Sequence, residues 1–249
     1  MSSPVTPSRQ EDHERQYSGE GELWLNEKCL ERYNRDVIDH LITCFNAKQT
    51  ILDFGAGIGT MALLCRTHSI TPDCLEINDR LRATTEKRGF RCFSALDEIP
   101  HRYNGIYSAN VLEHIADDVG TLKSLGSIMQ DGAFIALYLP AFMCLYSEFD
   151  RSLGHHRRYE RKEIIAKLTA AGFHLVEFRF VDSLGFFAWL AAKYLGHKRK
   201  LQLGSEWSLR IYDRLLYPFS KLIDALGAKV LFGKNMIVIA RKPLVSGQQ

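Results

Sequence analysis

Nowhere in its 249 residues does the chain have the ~20 consecutive apolar residues needed to cross a bilayer. The N-terminus, Met-Ser-Ser-Pro-Val-Thr-Pro-Ser-Arg-Gln, lacks the apolar core of a secretory signal, so a cytoplasmic protein is expected. There is no Cys-x-x-Cys pair. The six cysteines (Cys29, Cys44, Cys65, Cys74, Cys92 and Cys144) are scattered, with no histidine at ligand spacing, so reduced thiols and no metal are expected. The net charge of +3 is too small to argue for nucleic acid. Nor is there an Asn-Pro-Pro-Tyr-like run or an appended binding domain, so no nucleic-acid partner is expected. Repeats and low-complexity tracts are absent too. What remains is 46% hydrophobic and 24% charged, which can bury a sizeable core, and the length suits one α/β domain with some elaboration.

The chain is organised around Thr50-Ile-Leu-Asp-Phe-Gly-Ala-Gly-Ile-Gly-Thr60. Ile51, Leu52 and Phe54 predict a short buried strand, three alternating glycines break it, and Met61-Ala-Leu-Leu-Cys65 predicts a helix start. Such a turn cradles a nucleotide cofactor: glycine lets the backbone approach the ligand, and the first helical N–H groups are free. The spacing is Gly55-x-Gly57-x-Gly59, with Asp53 before it and Ala56 within it. It is not the Gly-x-Gly-x-x-Gly of dinucleotide-binding units. About 20 residues on, a second strand over Asp73–Ile77 ends at Glu76 and Ile77. There the Glu76 carboxylate either accepts both ribose hydroxyls of an adenosine, a contact common to NAD and S-adenosylmethionine (SAM), or is an ordinary acid capping the next helix.

The Asp-x-Gly-x-Gly-x-Gly run resembles motif I of the class I SAM-dependent methyltransferases. Gly105-Ile-Tyr-Ser-Ala-Asn110-Val111-Leu-Glu113-His114-Ile115 is similar to the Leu-Glu-His-Ile segment after the fourth strand of many small-molecule members. Asp150-Arg-Ser-Leu-Gly-His155-His156-Arg157-Arg158-Tyr159 resembles the Asp-x-x-x-Gly-His-x-Arg-Arg-Tyr segment of a bacterial branch. The resemblance implies SAM as cofactor, with Asn110 and Val111 lining it. It also implies an acid after the third strand that bonds the adenine; here Asp97 stands two or three places late, and Ser94 or the backbone is an equal candidate. Class I enzymes place helices ahead of the glycine loop, and apolar residues at helical spacing between Leu23 and Phe45 predict one or two helices there. Tyr33 and Arg35 on them either reach the methionyl carboxylate or, for Tyr33, belong to the core.

Glu113 and His114 begin a helix, where an acid suits the dipole. His114 is either a catalytic base or orders the turn. The His155–Tyr159 block sets two imidazoles, two guanidiniums and a phenol beside Asp150 at a helix start, where the dipole disfavours cations. His155, His156 and Tyr159 are therefore catalytic candidates, with Arg157 and Arg158 as a clamp for a carboxylate or phosphate, against a solvated helix start with Asp150 pairing an arginine. Residues 183–229 form an insertion between the sixth strand (His174–Val181) and the seventh (Asn235–Arg241). Its apolar run, with Phe186 and Trp189, precedes basic His197-Lys-Arg-Lys200, and Ile211, Leu215, Leu216, Phe219, Leu222, Ile223 and Leu226 share a helical face. The insertion is a lid over the acceptor, a membrane-surface contact, or core packing.

The expected architecture is a mobile arm over 1–20, then one domain over 21–249. That domain is a doubly wound α/β fold with a mostly parallel seven-stranded sheet, N-terminal helices and a helical lid. The expected activity is methyl transfer from SAM to a small or lipid-like acceptor, at oxygen and anionic. A non-catalytic SAM-binding regulator and an NAD-type oxidoreductase are the alternatives.

Overall fold

The computed structural model describes residues 19–195 and 205–244. The expected arm up to residue 18 and the basic run His197–Lys200 lie outside these residues. Seven strands form one sheet in the order β3-β2-β1-β4-β5-β7-β6. They are β1 (Ile51–Phe54), β2 (Asp73–Leu75), β3 (Cys92–Phe93), β4 (Tyr103–Ala109), β5 (Met129–Pro140), β6 (His174–Val181) and β7 (Asn235–Arg241). β1 to β5 pair in parallel, and only β7 runs against its neighbours β5 and β6. The strand order reverses between β1 and β4, the switch point where open α/β sheets bind ligands.

The central strands β1 and β4 are buried almost throughout, which is why they read as apolar runs without alternation. One core, with Leu52, Ile106, Leu137, Tyr159 and Phe173, lies on one face of the sheet. The other, with Val37, Ile38, Leu41, Ile51 and Ile237, packs the helix Glu31–Leu41 against the opposite face. β2 is shorter than the expected Asp73–Ile77, stopping at Leu75. β3 is short too, only Cys92–Phe93, because the chain turns at Ser94 to let Glu98 accept from its N–H and hydroxyl.

The N-terminal part forms two helices, Glu20–Cys29 and Glu31–Leu41. The first reaches the glycine loop. Thr60 Oγ1 donates to Glu27 (2.5 Å), and the Arg88 guanidinium holds Glu27 through both carboxylate oxygens at 2.7 and 2.9 Å.

The insertion is helical and includes a π-helical turn. Helix Ser183–Leu195 is followed, after the undescribed stretch, by Glu206–Ile211, a π-helical turn at Tyr212–Leu216 and helix Tyr217–Ala225. Most of the expected apolar row points outward: Leu215, Leu216, Phe219, Leu222 and Leu226 are exposed. Asp213, Tyr217 and Ser220 face inward instead. The reason is polar. Asp213 accepts from Arg32 N–H (3.2 Å) and Tyr33 N–H (2.9 Å), donors in the first turn of helix Glu31–Leu41 that lack intrahelical partners, and Tyr217 donates to Asp36 at 2.5 Å.

Candidate functional site

Three loops meet at the carboxyl ends of β1, β2 and β4. Gly55, Gly57 and Gly59 all have positive φ (79°, 58° and 82°), which is why this turn takes glycine. A Cβ on Gly55 would lie 2.4 Å from Val111 Cγ2, and one on Gly57 3.2 Å from Leu23 Cδ1. The glycine loop is thus pressed between the N-terminal helix and the segment after β4. Ala56 is buried beside it. Glu76 is buried and accepts from Gly57 N–H (2.8 Å) and Asn78 N–H (2.9 Å). These bonds fix the carboxylate between the loop and the helix Asp79–Lys87, and burial raises its pKa. Asp53 is buried with Oδ2 unpartnered; burial pushes its pKa up to about 7, against a bond from Tyr107. A group with donors to offer, such as the amino end of a cofactor, would satisfy it.

Other expected cofactor contacts differ in character. Ile77 is 74% exposed and so is free to cover a bound ring. Asp97 is exposed in the turn Leu96–Glu98, while the neighbouring Glu98 ties the turn to Ser94. Asn110 is exposed with φ of 54°, and its N–H donates to Tyr138 O at 2.9 Å. Of its two expected roles, cofactor contact or core, Tyr33 takes the core one. It is buried, its hydroxyl bonds to those of Tyr138 (2.7 Å) and to Asn235 Nδ2 (2.9 Å), and it belongs to the core.

The segments after β4 and β5 are stitched together. His156 N–H donates to Glu113 O (2.8 Å), Tyr159 N–H to Pro140 O (2.9 Å) and Phe142 N–H to Tyr159 O (2.9 Å). This brings the His114 and His155 rings edge to face, 4.5 Å apart. His155 Nδ1 lies 3.2 Å from Asp150 Oδ1, while His156 is exposed. Burial, with the neighbouring imidazoles, pushes His114 down to about 4, so it is neutral at pH 7. Glu113 is fully buried with neither carboxylate oxygen partnered, and burial pushes it up to about 8. Among the described residues, Glu113, His114 and His155 offer ligand atoms all within 4.8 Å of one another. Asn110 and Phe142 (φ of 63°) are non-glycine residues held left-handed at the ends of β4 and β5, strain of the kind functional sites keep.

The arginine clamp is corrected by the geometry. Arg158 is 3% exposed and holds Asp150 through Nε (2.8 Å) and Nη2 (2.7 Å). Arg157 donates to Asp118 (2.5 Å) and to Ala116 O (2.9 Å). Tyr159 is wholly buried, its hydroxyl 3.0 Å from the same Asp118 and 3.1 Å from Leu112 O. All three side chains are occupied within the protein, so the expected anionic clamp and the catalytic phenol are replaced by internal ion pairs and bonds.

Helix Ser183–Leu195 closes one side of this region. Phe186 meets Phe142 edge to face at 5.5 Å, Trp189 meets Phe149 at 5.5 Å, and Lys193 donates to Cys144 O at 2.7 Å. Trp189 Nε1 is buried without a partner. Sequence reasoning offered Asp150 as a partner for an arginine but missed Asp118, which organises the block, and Lys234, half-buried among the rings of Tyr33, Trp189 and Tyr212. No local pattern marks such partners, which come from distant parts of the chain.

Residues 27–177 match the family described as Methyltransferase domain. No curated protein sequence matches the chain. A SAM-dependent methyltransferase from Thermotoga maritima superposes with a TM-score of 0.59 at 13% identity, covering 93% of this chain and 98% of that one. One from Archaeoglobus fulgidus gives 0.53 at 20% identity, covering 94% and 100%. Phosphoethanolamine N-methyltransferase 2 of Haemonchus contortus, bound to SAM, gives 0.62 at 14% identity, covering 96% of this chain and 60% of that one. At these identities the likeness is one of fold.

Proposed function

The chain belongs to the methyltransferase domain family and is a SAM-dependent methyltransferase, and we propose that its acceptor is a small or lipid-like molecule methylated at a hydroxyl oxygen. One observation carries this reading: Val111 packs on Gly55, so the cofactor cradle and the turn bearing Glu113 and His114 are one continuous wall. The loop of Gly55, Ala56, Gly57 and Gly59 would hold the methionyl part, Glu76 the ribose and Asp53 a donor group. Ile77, Asn110 and Val111 would line the rest.

Bound SAM supplies a methyl group already activated on a sulfonium. The protein's own work is to position the acceptor, exclude water and receive its proton. Phe142, Phe186 and Trp189 form the apolar side. Asp150 holds His155 by Nδ1, which leaves Nε2 available, and the exposed His156 stands next to it. An imidazole of this pair takes the proton.

The lipid-like part rests on the outer face of the insertion. Leu215, Phe219, Leu222, Leu226, Val230 and Leu231 are 57–81% exposed, flanked by exposed Arg214 and Lys229, while Asp213 and Asp224 turn inward. An apolar face with cationic flanks suits an anionic lipid surface. The test is incorporation of labelled methyl from SAM into a panel of phenols, sugars and hydroxylated lipids. His155→Ala or His156→Ala should lower kcat ~100-fold without changing SAM affinity. Labelling of amines and never of hydroxyls would refute the oxygen acceptor.

A further inference from the structure

We propose that Glu113, His114 and His155 bind a first-row divalent cation of the Zn2+ class; its role, though not its existence, rests on the methyl-transfer reading above. The three donors lie within 4.8 Å of one another, close enough to share one ion once the side chains turn toward its ~2.0–2.2 Å bonds. The second, independent observation is Glu113 itself. It has no exposed surface, and both carboxylate oxygens lack a hydrogen-bond partner. Folded proteins leave few buried polar groups unpartnered, and leaving one so is costly. A cation set between Glu113 and the two rings removes that cost.

The surroundings are built as ligating imidazoles require. Asp150, 1% exposed and itself fixed by Arg158 and Ser147, meets His155 at Nδ1, which selects the tautomer whose Nε2 can ligate. The His114 ring is oriented by a hydrogen bond with the Leu153 backbone. Two imidazoles and one carboxylate favour borderline first-row metals over Mg2+ or Ca2+. Three protein ligands leave coordination positions open for an acceptor oxygen.

In that role the cation polarises the acceptor hydroxyl. The proton passes to His156, the imidazole of the block that is not a ligand. The oxygen lone pair forms the new C–O bond as the S–C bond of the sulfonium breaks, and the thioether leaves with that electron pair. His156 then returns its proton to water.

The experiment is calorimetric titration of the EDTA-treated, dialysed chain with Zn2+, repeated with Co2+ and read by visible absorption. Separate titrations use SAM. One Zn2+ per chain is expected, with a low-coordinate Co2+ spectrum. Glu113→Gln and His155→Ala should each weaken Zn2+ at least ~10-fold, and His156→Ala should leave it unchanged. Should Glu113→Gln fail to fold, His155→Ala, on a partly exposed side chain, carries the comparison. No Zn2+ binding, or binding unaffected by these changes, overturns the site. Zn2+ failure with SAM binding intact leaves the methyltransferase reading standing. Zn2+ binding without SAM binding removes that reading and keeps the site.

Discussion

Asp118→Asn separates a structural from a substrate-binding role for the basic block. The carboxylate receives Arg157 at 2.5 Å, Lys167 at 2.5 Å and the Tyr159 hydroxyl at 3.0 Å. Its side chain is 4% exposed, and those of Arg157 and Lys167 are 21% and 20% exposed. Breaking a buried pair by removing one partner costs ~3–5 kcal/mol. Solvent reaches both cations here, which reduces the loss to about 2–3 kcal/mol. In a domain of this size that lowers Tm by roughly 5–10 °C. Burial pushes the Asp118 pKa up, but bonds from Lys167, Arg157 and Tyr159 outweigh it and hold the carboxyl below its ordinary value. Its contribution is therefore present above the unfolded-state value of ~4 and lost as pH falls through the folded one. The gap between wild type and variant should close in that acid range. Thermal unfolding followed by circular dichroism at several pH values measures this, and calorimetry should find SAM affinity unchanged. A wild-type Tm combined with a raised acceptor KM would refute the reasoning and restore Arg157 as an acceptor contact.

Other consequences are as direct. Gly55→Ala must place its Cβ 2.4 Å from Val111 Cγ2 at a positive φ, so SAM affinity measured by calorimetry should fall at least ~10-fold. Tyr33→Phe leaves Asn235 and the Tyr138 hydroxyl short of a buried partner. It should cost ~1–3 kcal/mol in denaturant unfolding with no change in SAM binding. Phe219→Glu with Leu222→Glu alters side chains that are 61% and 57% exposed, so Tm should hold while sedimentation with anionic vesicles is lost. Unchanged sedimentation would remove the lipid-surface contact.

The sheet was legible where the signal is local. Continuous apolar runs and glycine punctuation locate β1 and β4, and alternation locates β6 and β7, at Val181 and Asn235 to the residue. The glycine loop was legible because its positive φ values restrict those positions to glycine, and the place of Glu76 because it directly follows β2. Charge pairing was not. Arg157 and Arg158 read as a clamp because nothing near them in sequence announces Asp118, 39 residues earlier, or the inward turn of Asp150. The insertion could not be oriented from sequence for a related reason. Its apolar row follows helical periodicity, but helix Glu31–Leu41 needed Asp213 at its N-terminus and Asp36 needed Tyr217, so the polar face was drawn inward. Glu113 read as an acid suited to a helix start, yet it is buried within a short turn, a distinction that tertiary packing alone makes.

Calorimetric titration of the purified chain with SAM, S-adenosylhomocysteine and NAD tests the central claim most directly. One site for each of the first two is predicted, with no heat from NAD and with both signals lost in Gly57→Val, whose side chain would enter the space between the glycine loop and Leu23. Binding of NAD without binding of SAM would contradict the account.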